Sequence, residues 1–295
     1  MAILCIGRST LDLGYICPRF PDEDSKLASE GFTMSGGGPA LNAAVAASAL
    51  GTPTRLVSTV GGGMLASFVK RELDQHGIEL VDLAARRDEV LPVSSIVIVP
   101  RNGTRTVVDQ QPVARLRTIE DPDCLLDGVD LVLTDGQFAP VAIALLARAR
   151  ELAIPVVLDG GSWKPGTREI LALVDYAVVS ERFSPPDVEQ GDLCDAIHRL
   201  GPPSVAVTRG AGPIACSEGS VRRTIMPPRV EAIDTLGAGD IFHGAFCHNL
   251  ASGAAFAPAL EGAARIAALS CTFPGTRAWI EKLDQLECPG PLQKD

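Results

Sequence analysis

The stretch Asp234-Thr235-Leu236-Gly237-Ala238-Gly239-Asp240 runs directly into the apolar segment Ile241-Phe242-His243-Gly244-Ala245-Phe246-Cys247. This pattern predicts a tight turn followed by a helix, and a helix N-terminus carries unpaired N–H groups and a partial positive charge. Because Gly237, Ala238 and Gly239 are small, an anion could approach the bare backbone there. Asp240 could accept a proton from a hydroxyl held beside that anion. The stretch therefore indicates phosphoryl transfer to an alcohol.

Asp240 also has a simpler interpretation, in which it caps the helix and the glycines only permit the turn. The turn by itself is compatible with either interpretation. His243 and His248 lie on the same predicted helix, five residues apart, which is poor spacing for a shared metal ion. We expect both histidines to have packing or surface roles.

Composition limits the class of protein. The chain has 295 residues, of which 46% are hydrophobic and only 4% aromatic, so its core is expected to consist of Ala, Val, Leu and Ile. This length suits one large α/β domain, or one domain with an appendage. The formal net charge is -10 and no run of Lys or Arg stands out. Nucleic acid and anionic membrane surfaces are therefore not expected as partners.

The cysteines and the N-terminal segment bear on the compartment. No Cys-x-x-Cys pair and no cluster with histidine is found among the eight cysteines, which are at positions 5, 17, 124, 194, 216, 247, 271 and 288. They are expected to be reduced thiols. The start of the chain meets Arg8 too early for a secretion signal, and no uncharged apolar run reaches about 18 residues. We expect a soluble, cytoplasmic protein.

The beginning of the chain offers polar groups for a polyol. Ala2 to Ile6 is a short apolar run that predicts a buried parallel strand, and ligands collect at the carboxyl ends of such strands. Asp12 follows closely and could bind hydroxyl groups there, or could be a turn or capping aspartate. Further on, Gly36, Gly37 and Gly38 precede an Ala-rich helix that contains Asn42. Glycines would let a sugar ring approach the backbone, and Asn42 offers a donor and an acceptor, although a plain turn would need the same glycines.

Alternating elements predict an α/β fold with a mostly parallel sheet covered by helices. Further strands are predicted near 54–60, 129–134, 155–159, 175–179 and 204–208, and helices near 64–76, 140–152, 167–173, 187–200, 240–251 and 256–271. An antiparallel hairpin is predicted where Asn102-Gly103 lies between the runs 93–99 and 104–109. A hairpin is out of place in such a chain unless it forms a separate small sheet. Ser180 with Glu181, and Thr208 with Gly210, close successive strands and define one rim, the expected nucleotide side.

The pattern Asp234-Thr235-x-Gly237-Ala238-Gly239-Asp240-x-x-x-Gly244-Ala245-Phe246 resembles the C-terminal signature of the ribokinase, or PfkB, family of carbohydrate kinases. The glycine segment before Asn42 is similar to the N-terminal signature, although Pro39 and Leu41 make it irregular. The resemblance covers nearly the whole chain and implies an ATP-dependent sugar kinase with a ribokinase-like fold. It implies Asp240 as the base, Asp12, Gly37, Gly38 and Asn42 as sugar contacts, and Ser180, Thr208 and Gly210 as nucleotide contacts.

The resemblance also implies metal ions. Glu181 would help to organise Mg²⁺ through water, whereas Phe183 replaces a carboxylate that the family often has. A monovalent cation, for which K⁺ is the candidate, would be held beside the anion hole by carbonyl groups. Those carbonyls would come from two segments, represented here by Asp234, Leu236, Ser270, Phe273 and Gly275.

The domain organisation implied by the resemblance is one kinase domain over residues 1–295. Segments within about 12–35 and 92–110 would form a small β lid over the sugar, and two lids would pair in a homodimer. Arg105 on the hairpin could close over the substrate, but a surface position is the preferred interpretation.

The identity of the acceptor is the least determined property. The segments at 36–40, 242–245 and 271–275 are similar to the branch that contains sulfofructose kinase, and Pro92-Val93-Ser94-Ser95 resembles ketohexokinase. An anionic acceptor would require an Arg or Lys, for which Lys26 is a candidate. Because Asp109 and Gln137 do not favour an anion, a ketohexose or related polyol is the first choice. A sulfosugar or nucleoside kinase, or a catalytically weak sugar-binding regulatory protein, remain alternatives.

Overall fold

The protein is described here by a computed structural model that covers residues 1–84, 89–110, 115–186 and 193–285. The strands of these ranges are β1 (Ile3–Ile6), β2 (Thr10–Ile16), β3 (Gly31–Gly37), β4 (Thr54–Ser58), β5 (Glu79–Asp82), β6 (Val93–Val99), β7 (Thr104–Asp109), β8 (Leu131–Thr134), β9 (Val156–Gly160), β10 (Tyr176–Ser180), β11 (Ser204–Arg209), β12 (Gly212–Glu218) and β13 (Val221–Ile225). The helices are α1 (Pro39–Ala49), α2 (Gly63–Gln75), α3 (Pro122–Leu126), α4 (Ala139–Glu151), α5 (Thr167–Leu171), α6 (Leu193–His198), α7 (Ala238–Ala251) and α8 (Phe256–Ser270).

The larger sheet has nine described strands in the order β13-β12-β11-β10-β9-β8-β1-β4-β5. The pairs from β11 through to β5 are parallel, whereas β12 and β13 add an antiparallel edge. Helices α1, α2, α7 and α8 contribute to the apolar core on one face, and α3 to α6 contribute to the core on the other. Every residue of β1 is buried, as expected for a central parallel strand. The predicted α/β fold is confirmed.

The smaller sheet, called the lid sheet below, has the order β3-β2-β6-β7. Its hairpin strands β6 and β7 have the predicted bounds, but the connection is longer than an Asn-Gly turn. It consists of a 3-10 turn at Pro100–Asn102 followed by Gly103 in the left-handed conformation, with φ 64°. Asn102-Gly103 therefore identified the hairpin correctly, while the turn is built from four residues.

Some elements depart from the sequence-based expectation. The antiparallel strands β12 and β13 and the short strand β5 were not predicted, because we expected a crossover helix after each strand of the main sheet. A turn with Gly210 at φ 58° instead sends the chain straight back along β11. The first part of the helix predicted near 187–200 lies outside the described residues, and α6 is described from Leu193 onward.

Close packing between α1 and α7 places the candidate site. A Cβ atom on Gly244 would lie 2.3 Å from the carbonyl oxygen of Ala43, so the two helices can be this close only with glycine at that position. Each helix carries a polar candidate residue near its N-terminus, Asn42 on α1 and Asp240 on α7. The contact between the helices therefore brings those two side chains together.

Two further properties concern the cysteines and the helices. The seven cysteines of the described residues form no disulfide with one another, and Cys288 lies outside these residues. In the same ranges, no helix combines the length and the apolar character needed to cross a membrane.

Candidate active site

The predicted anion hole lies where α7 begins. Gly237 precedes the helix in the left-handed conformation, with φ 67°, and Ala238 is the first helical residue. A Cβ atom on Gly237 would lie 2.7 Å from the Cγ2 atom of Thr276, so the turn also needs glycine for lack of space. The first-turn amides of Gly239 and Asp240 have no partner within the helix, as at any helix N-terminus. The turn can therefore present N–H groups to an anion.

Asp240 does not cap this helix. Gly237 occupies the capping position and no side chain accepts a capping hydrogen bond there, which rules out the simpler interpretation of the aspartate. Its carboxylate accepts instead a hydrogen bond of 2.8 Å from Asn42 Nδ2. Burial, and secondly the charge of Asp159, raise the pKa of Asp240 to about 7, against a smaller lowering by the Asn42 bond. A carboxylate with such a pKa is suited to general-base chemistry near neutral pH.

A buried aspartate and a buried histidine lie beside Asp240. Asp159, at the carboxyl end of β9, has a carboxylate oxygen 3.4 Å from His243 Nδ1. The carbonyl oxygen of Gly239 lies 2.7 Å from Nδ1, and the carbonyl oxygen of Val178 lies 3.1 Å from Nε2. Carbonyl oxygens only accept hydrogen bonds, so a ring nitrogen that carries a proton can donate to the carbonyl it faces. His243 thus lies between the first turn of α7 and β10.

Asp12 lies on β2 in the lid sheet, near its junction with the body. Its carboxylate accepts a hydrogen bond of 2.7 Å from Thr10 Oγ1, while burial raises the pKa of the carboxyl group. A Cβ atom on Gly37 would overlap this carboxylate at 2.1 Å, and one on Gly38 would lie 2.5 Å from the carbonyl oxygen of Arg8. Both glycines are therefore needed by the protein's own packing, which differs from the predicted reason, close approach of a sugar ring.

An arginine and an aspartate join the body to the lid sheet. Arg8, just after β1, donates two hydrogen bonds of 2.6 Å to the carboxylate of Asp109 at the end of β7. The same guanidinium donates to the carbonyl oxygen of Gln110 at 2.6 Å. Ser94 Oγ adds a bond of 3.2 Å to Asp109. The positive charge of Arg8 is therefore paired with Asp109, while its buried Nε has no hydrogen-bond partner among the described residues.

The expected nucleotide rim is formed by neighbouring strand ends. Ser180 and Thr208 are paired across β10 and β11, and Gly210 lies in the turn that follows. Glu181 is exposed, with a carboxylate oxygen 3.8 Å from Arg209 Nε. Phe183, by contrast, is 2% exposed and is part of the core, so it offers no group to a metal ion.

The segments predicted to hold a monovalent cation are fastened to each other by Asp234. Its carboxylate accepts hydrogen bonds of 2.9 Å from the N–H groups of Leu236 and Gly275. Ser270, which is buried, begins the second segment, and Phe273 N–H donates to the Ser270 carbonyl oxygen over 3.2 Å. The structure therefore brings the two segments together beside the anion hole.

Other members of the site were not singled out from sequence. Arg277 had no predicted role, yet it donates a hydrogen bond of 2.9 Å to Asn42 Oδ1. Asp159 was only the last residue of a predicted strand, and His243 was expected to have a packing or surface role. Arg105 is exposed, as expected, but also reaches Thr235 in the loop before α7. Of these residues, only Asp159 could have been recognised as a site candidate from the sequence, because it ends a predicted strand of the parallel sheet.

Known proteins resemble this chain over nearly its whole length. The chain matches the family model described as "pfkB family carbohydrate kinase" over residues 2–283, and it belongs to that family. It is therefore a phosphotransferase that acts on an alcohol group of a carbohydrate. It is 26% identical to ribokinase from Haemophilus influenzae, over 96% of this chain and 97% of that protein. It is 24% identical to ketohexokinase from Mus musculus, over 92% and 97% respectively.

Solved structures agree on the fold. The structure of Arabidopsis thaliana ribokinase complexed with ribose and ATP superimposes with a TM-score of 0.74, covers 93% of both chains and is 20% identical. At that identity, the similarity shows the fold alone.

Proposed function

We propose that this protein transfers the γ-phosphoryl group of ATP to a hydroxyl group of a neutral ketohexose or related polyol. Residues 1–295 would form one kinase domain, with a lid from segments within 12–35 and 92–110. Asp240 would take the proton of the acceptor hydroxyl, while the N–H groups of residues 237–240 would stabilise the charge on the transferring phosphoryl group. The pKa of Asp240, raised to about 7, supports the role of base.

The observation that carries the choice of acceptor is the charge balance of the pocket. Asp12 and Asp240 present carboxylates, whereas the two arginines close to these carboxylates are already paired, Arg8 with Asp109 and Arg277 with Glu72. Arg105 is a further cation at the edge of the lid sheet, where it donates to the neutral hydroxyl of Thr235. A phosphate or sulfonate on the acceptor would need a cation that is not already neutralised. Lys26, the candidate named from sequence, is exposed in the segment between β2 and β3. A neutral acceptor is therefore favoured over a sulfosugar.

Hydroxyl groups suit the donors and acceptors that remain. Asn42 commits its Oδ1 to Arg277 and one Nδ2 hydrogen to Asp240, which leaves the second Nδ2 hydrogen for a substrate hydroxyl. Asp12 can accept hydrogen bonds from other hydroxyl groups of the same molecule. Gly37 and Gly38 would contribute to sugar binding indirectly. Because they lack a side chain, they leave space for the Asp12 carboxylate and for the backbone of Arg8 at the lid junction.

ATP would bind along the rim formed by Ser180, Thr208 and Gly210. The Arabidopsis ribokinase that was solved with ATP supports the choice of nucleotide. Mg²⁺ would neutralise the phosphates when bound with them. Glu181, which is exposed just after β10, would contact it through water, since Mg²⁺ in such sites keeps several of its waters.

K⁺ would bind between the segments that Asp234 holds together, with ligands from Asp234, Leu236, Ser270, Phe273 and Gly275. Support comes from the hydrogen bonds that fix these segments next to Gly237. An ion there would hold the N–H groups of the turn in place. A structure of phosphofructokinase-2 from Escherichia coli in complex with potassium has the same fold at 18% identity.

The protein would act as a homodimer in the cytoplasm, paired through the lid sheet. One face of that sheet carries Tyr15, Phe32, Met34 and Val108, all of them exposed apolar side chains. The strand register places these four residues on the same face. A second copy would cover them. The free thiols of the described cysteines are typical of a reducing compartment.

The experiment is ADP release measured with a panel of ketoses, aldoses, phosphosugars, sulfosugars and nucleosides, in K⁺ and in Na⁺ buffers. We expect turnover with a neutral ketose or polyol. Preference for a sulfosugar or a nucleoside would replace the proposed acceptor. Sugar binding without turnover would instead favour a regulatory binding protein, and the Asp240→Asn protein provides the inactive control.

A further inference from the structure

We propose that Arg277 is a positioning residue, which holds Asn42 in the one orientation that lets its amide nitrogen donate to Asp240. The inference rests on the proposed function, because it treats Asp240 as the base. Arg277 itself does not contact the acceptor. It acts on the base through the side chain of Asn42.

The first step is the orientation of the Asn42 amide. The Nη1 atom of Arg277 lies 2.9 Å from one end of this amide, and the carboxylate of Asp240 lies 2.8 Å from the other. A guanidinium only donates hydrogen bonds and a carboxylate only accepts them. The end that faces Arg277 must therefore be Oδ1, and the end that faces Asp240 must be Nδ2. An ionised Asp240 favours this orientation by itself, but a protonated Asp240 could donate to Oδ1 of a reversed amide. Arg277 therefore keeps Nδ2 directed at Asp240 in both protonation states.

The second step is the rigidity of the guanidinium. Nε donates to Glu72 Oε1 and Nη2 donates to the carbonyl oxygen of Gly36, each over 2.8 Å. Glu72 closes the ring, because its Oε2 accepts a hydrogen bond of 2.6 Å from the Gly36 N–H. Nη1 also contacts Thr276 Oγ1 at 2.9 Å. The guanidinium is thus fixed by α2, by the end of β3 and by its own segment, and it can fix Asn42 in turn.

The third step is the anchoring of the segment that carries Arg277. Trp279 is fully buried, and its Nε1 donates a hydrogen bond of 3.0 Å to the carbonyl oxygen of Thr276. Thr276 is buried as well and lies against Gly237. The position of Arg277 is therefore set by the same contacts that shape the anion-hole turn.

The consequence concerns the proton affinity of the base. The bond from Asn42 lowers the pKa of Asp240, and an amide turned the other way would place an oxygen against the carboxylate and raise the pKa. The other charged groups around Asp240 are Asp159, Asp12 and His243. Around Arg277 they are Glu72 and Asp12, with His76 at the end of α2. None of these groups replaces the bond from Asn42.

The test measures the pKa of Asp240 directly by ¹³C NMR titration of labelled Asp carboxyl groups, with the signal assigned by its loss in Asp240→Asn. In Arg277→Met, which keeps an unbranched apolar side chain but none of the donors, we expect the pKa to rise by about one unit. The rate of the chemical step should fall about 10- to 100-fold. Arg277→Lys keeps the charge without the fork and should give a smaller rise.

Glu72→Gln is the control for a merely structural role. It disturbs the same ring of hydrogen bonds but leaves the contact of Arg277 with Asn42, so it should lower the melting temperature without raising the pKa of Asp240. An unchanged pKa in Arg277→Met, or an equal rise in Glu72→Gln, would overturn the inference. If Arg277→Met does not fold, Arg277→Lys decides, since a rise above the wild-type pKa is required.

The NMR result is independent of turnover. Suppose that the pKa rises in the variant but the wild-type protein releases no ADP with any acceptor of the panel. This result would refute the proposed function and leave the positioning role intact. Wild-type turnover with an unchanged pKa in the variant would instead refute the positioning role and leave the proposed function intact.

Discussion

Arg105 and Thr235 are 130 positions apart, yet Arg105 Nη1 donates a hydrogen bond of 2.5 Å to Thr235 Oγ1. The bond joins β7 of the lid sheet to the loop that precedes α7. The lid sheet thus reaches across to the anion-hole segment, at the opposite end of β7 from the pair between Arg8 and Asp109. The acceptor pocket would be closed between these two contacts.

The first prediction concerns this closing contact. Arg105→Ala removes one exposed hydrogen bond, so we expect the KM for the acceptor to rise by up to about tenfold, with little change in the KM for ATP. Steady-state kinetics with the acceptor identified by the panel provide the measurement. Arg101→Ala is the matched control, because Arg101 lies in the connection of the same hairpin. Equal effects of the two changes would mean that only the net charge of the hairpin matters.

The second prediction concerns the chemistry of Asp240. Asp240→Asn keeps the shape of the side chain and an oxygen that can accept the hydrogen bond from Asn42, but it removes the base. We expect the rate of phosphoryl transfer to fall about 10²- to 10⁴-fold, while both substrates still bind. Single-turnover phosphorylation at saturating substrates measures this rate. A wild-type rate in a folded variant would exclude Asp240 as the base.

The third prediction is the pH dependence of stability. The pKa of Asp240 is raised to about 7 in the folded protein from an ordinary value of 3.8, so the folded state binds the proton more tightly than the unfolded state does. This contribution to stability is fully present below about pH 4 and is lost as the pH rises through about 7. Above pH 7, Asp240→Asn should therefore melt a few degrees higher than wild type, and the difference should shrink toward pH 5.

Thermal melts of both proteins between pH 5 and 8.5 provide the check. A difference that does not change with pH would mean that the carboxyl group of Asp240 titrates at its ordinary pKa.

The fourth prediction concerns Asp12. If its carboxylate accepts hydrogen bonds from the acceptor, Asp12→Ala should weaken sugar binding by about one to two decades and leave ATP binding nearly unchanged. Calorimetric titration of each ligand separates the two effects. Asp22→Ala is the control, since Asp22 is an exposed aspartate of the segment that connects β2 to β3. Unaltered sugar affinity would leave Asp12 with a structural role at the lid junction.

The fifth prediction concerns the homodimer. Phe32 is 55% exposed, and its ring centroid lies 5.4 Å from that of Tyr15 on the apolar face of the lid sheet. Light scattering at micromolar concentration should show a dimer for the wild type and a monomer for Phe32→Glu, because a charge would be buried in the interface. Val221→Glu, at an exposed apolar position on β13, should remain dimeric. A monomeric wild type would refute the proposed interface.

Most of the fold could be predicted from the sequence because the signals for most of its elements are local. The apolar run of β1, the Ala-rich helix α1 and the hairpin near Asn102-Gly103 each have a period or a turn residue that determines their structure. The strand β12 was missed because nothing but a glycine turn distinguishes an antiparallel return from a crossover. Spacing along the chain could not have revealed this edge of the sheet.

The site was only partly predictable, for the same reason. Asp240 and its glycines lie within one short motif, so their roles could be inferred together. Arg277 and Asn42 are separated by 235 positions and meet only after α1 and α7 have packed on each other. His243 shows its two carbonyl partners only in three dimensions. Contacts between distant segments depend on the packing, and a single sequence does not contain that information in readable form.

Phe183 closes its position to a charged side chain. Its ring packs against Trp163, with 5.5 Å between the centroids, inside the core on one face of the sheet. A glutamate at position 183 would be an isolated buried charge, which is costly to remove from water. A metal ion bound along this rim would therefore take its protein contacts from exposed groups such as Glu181.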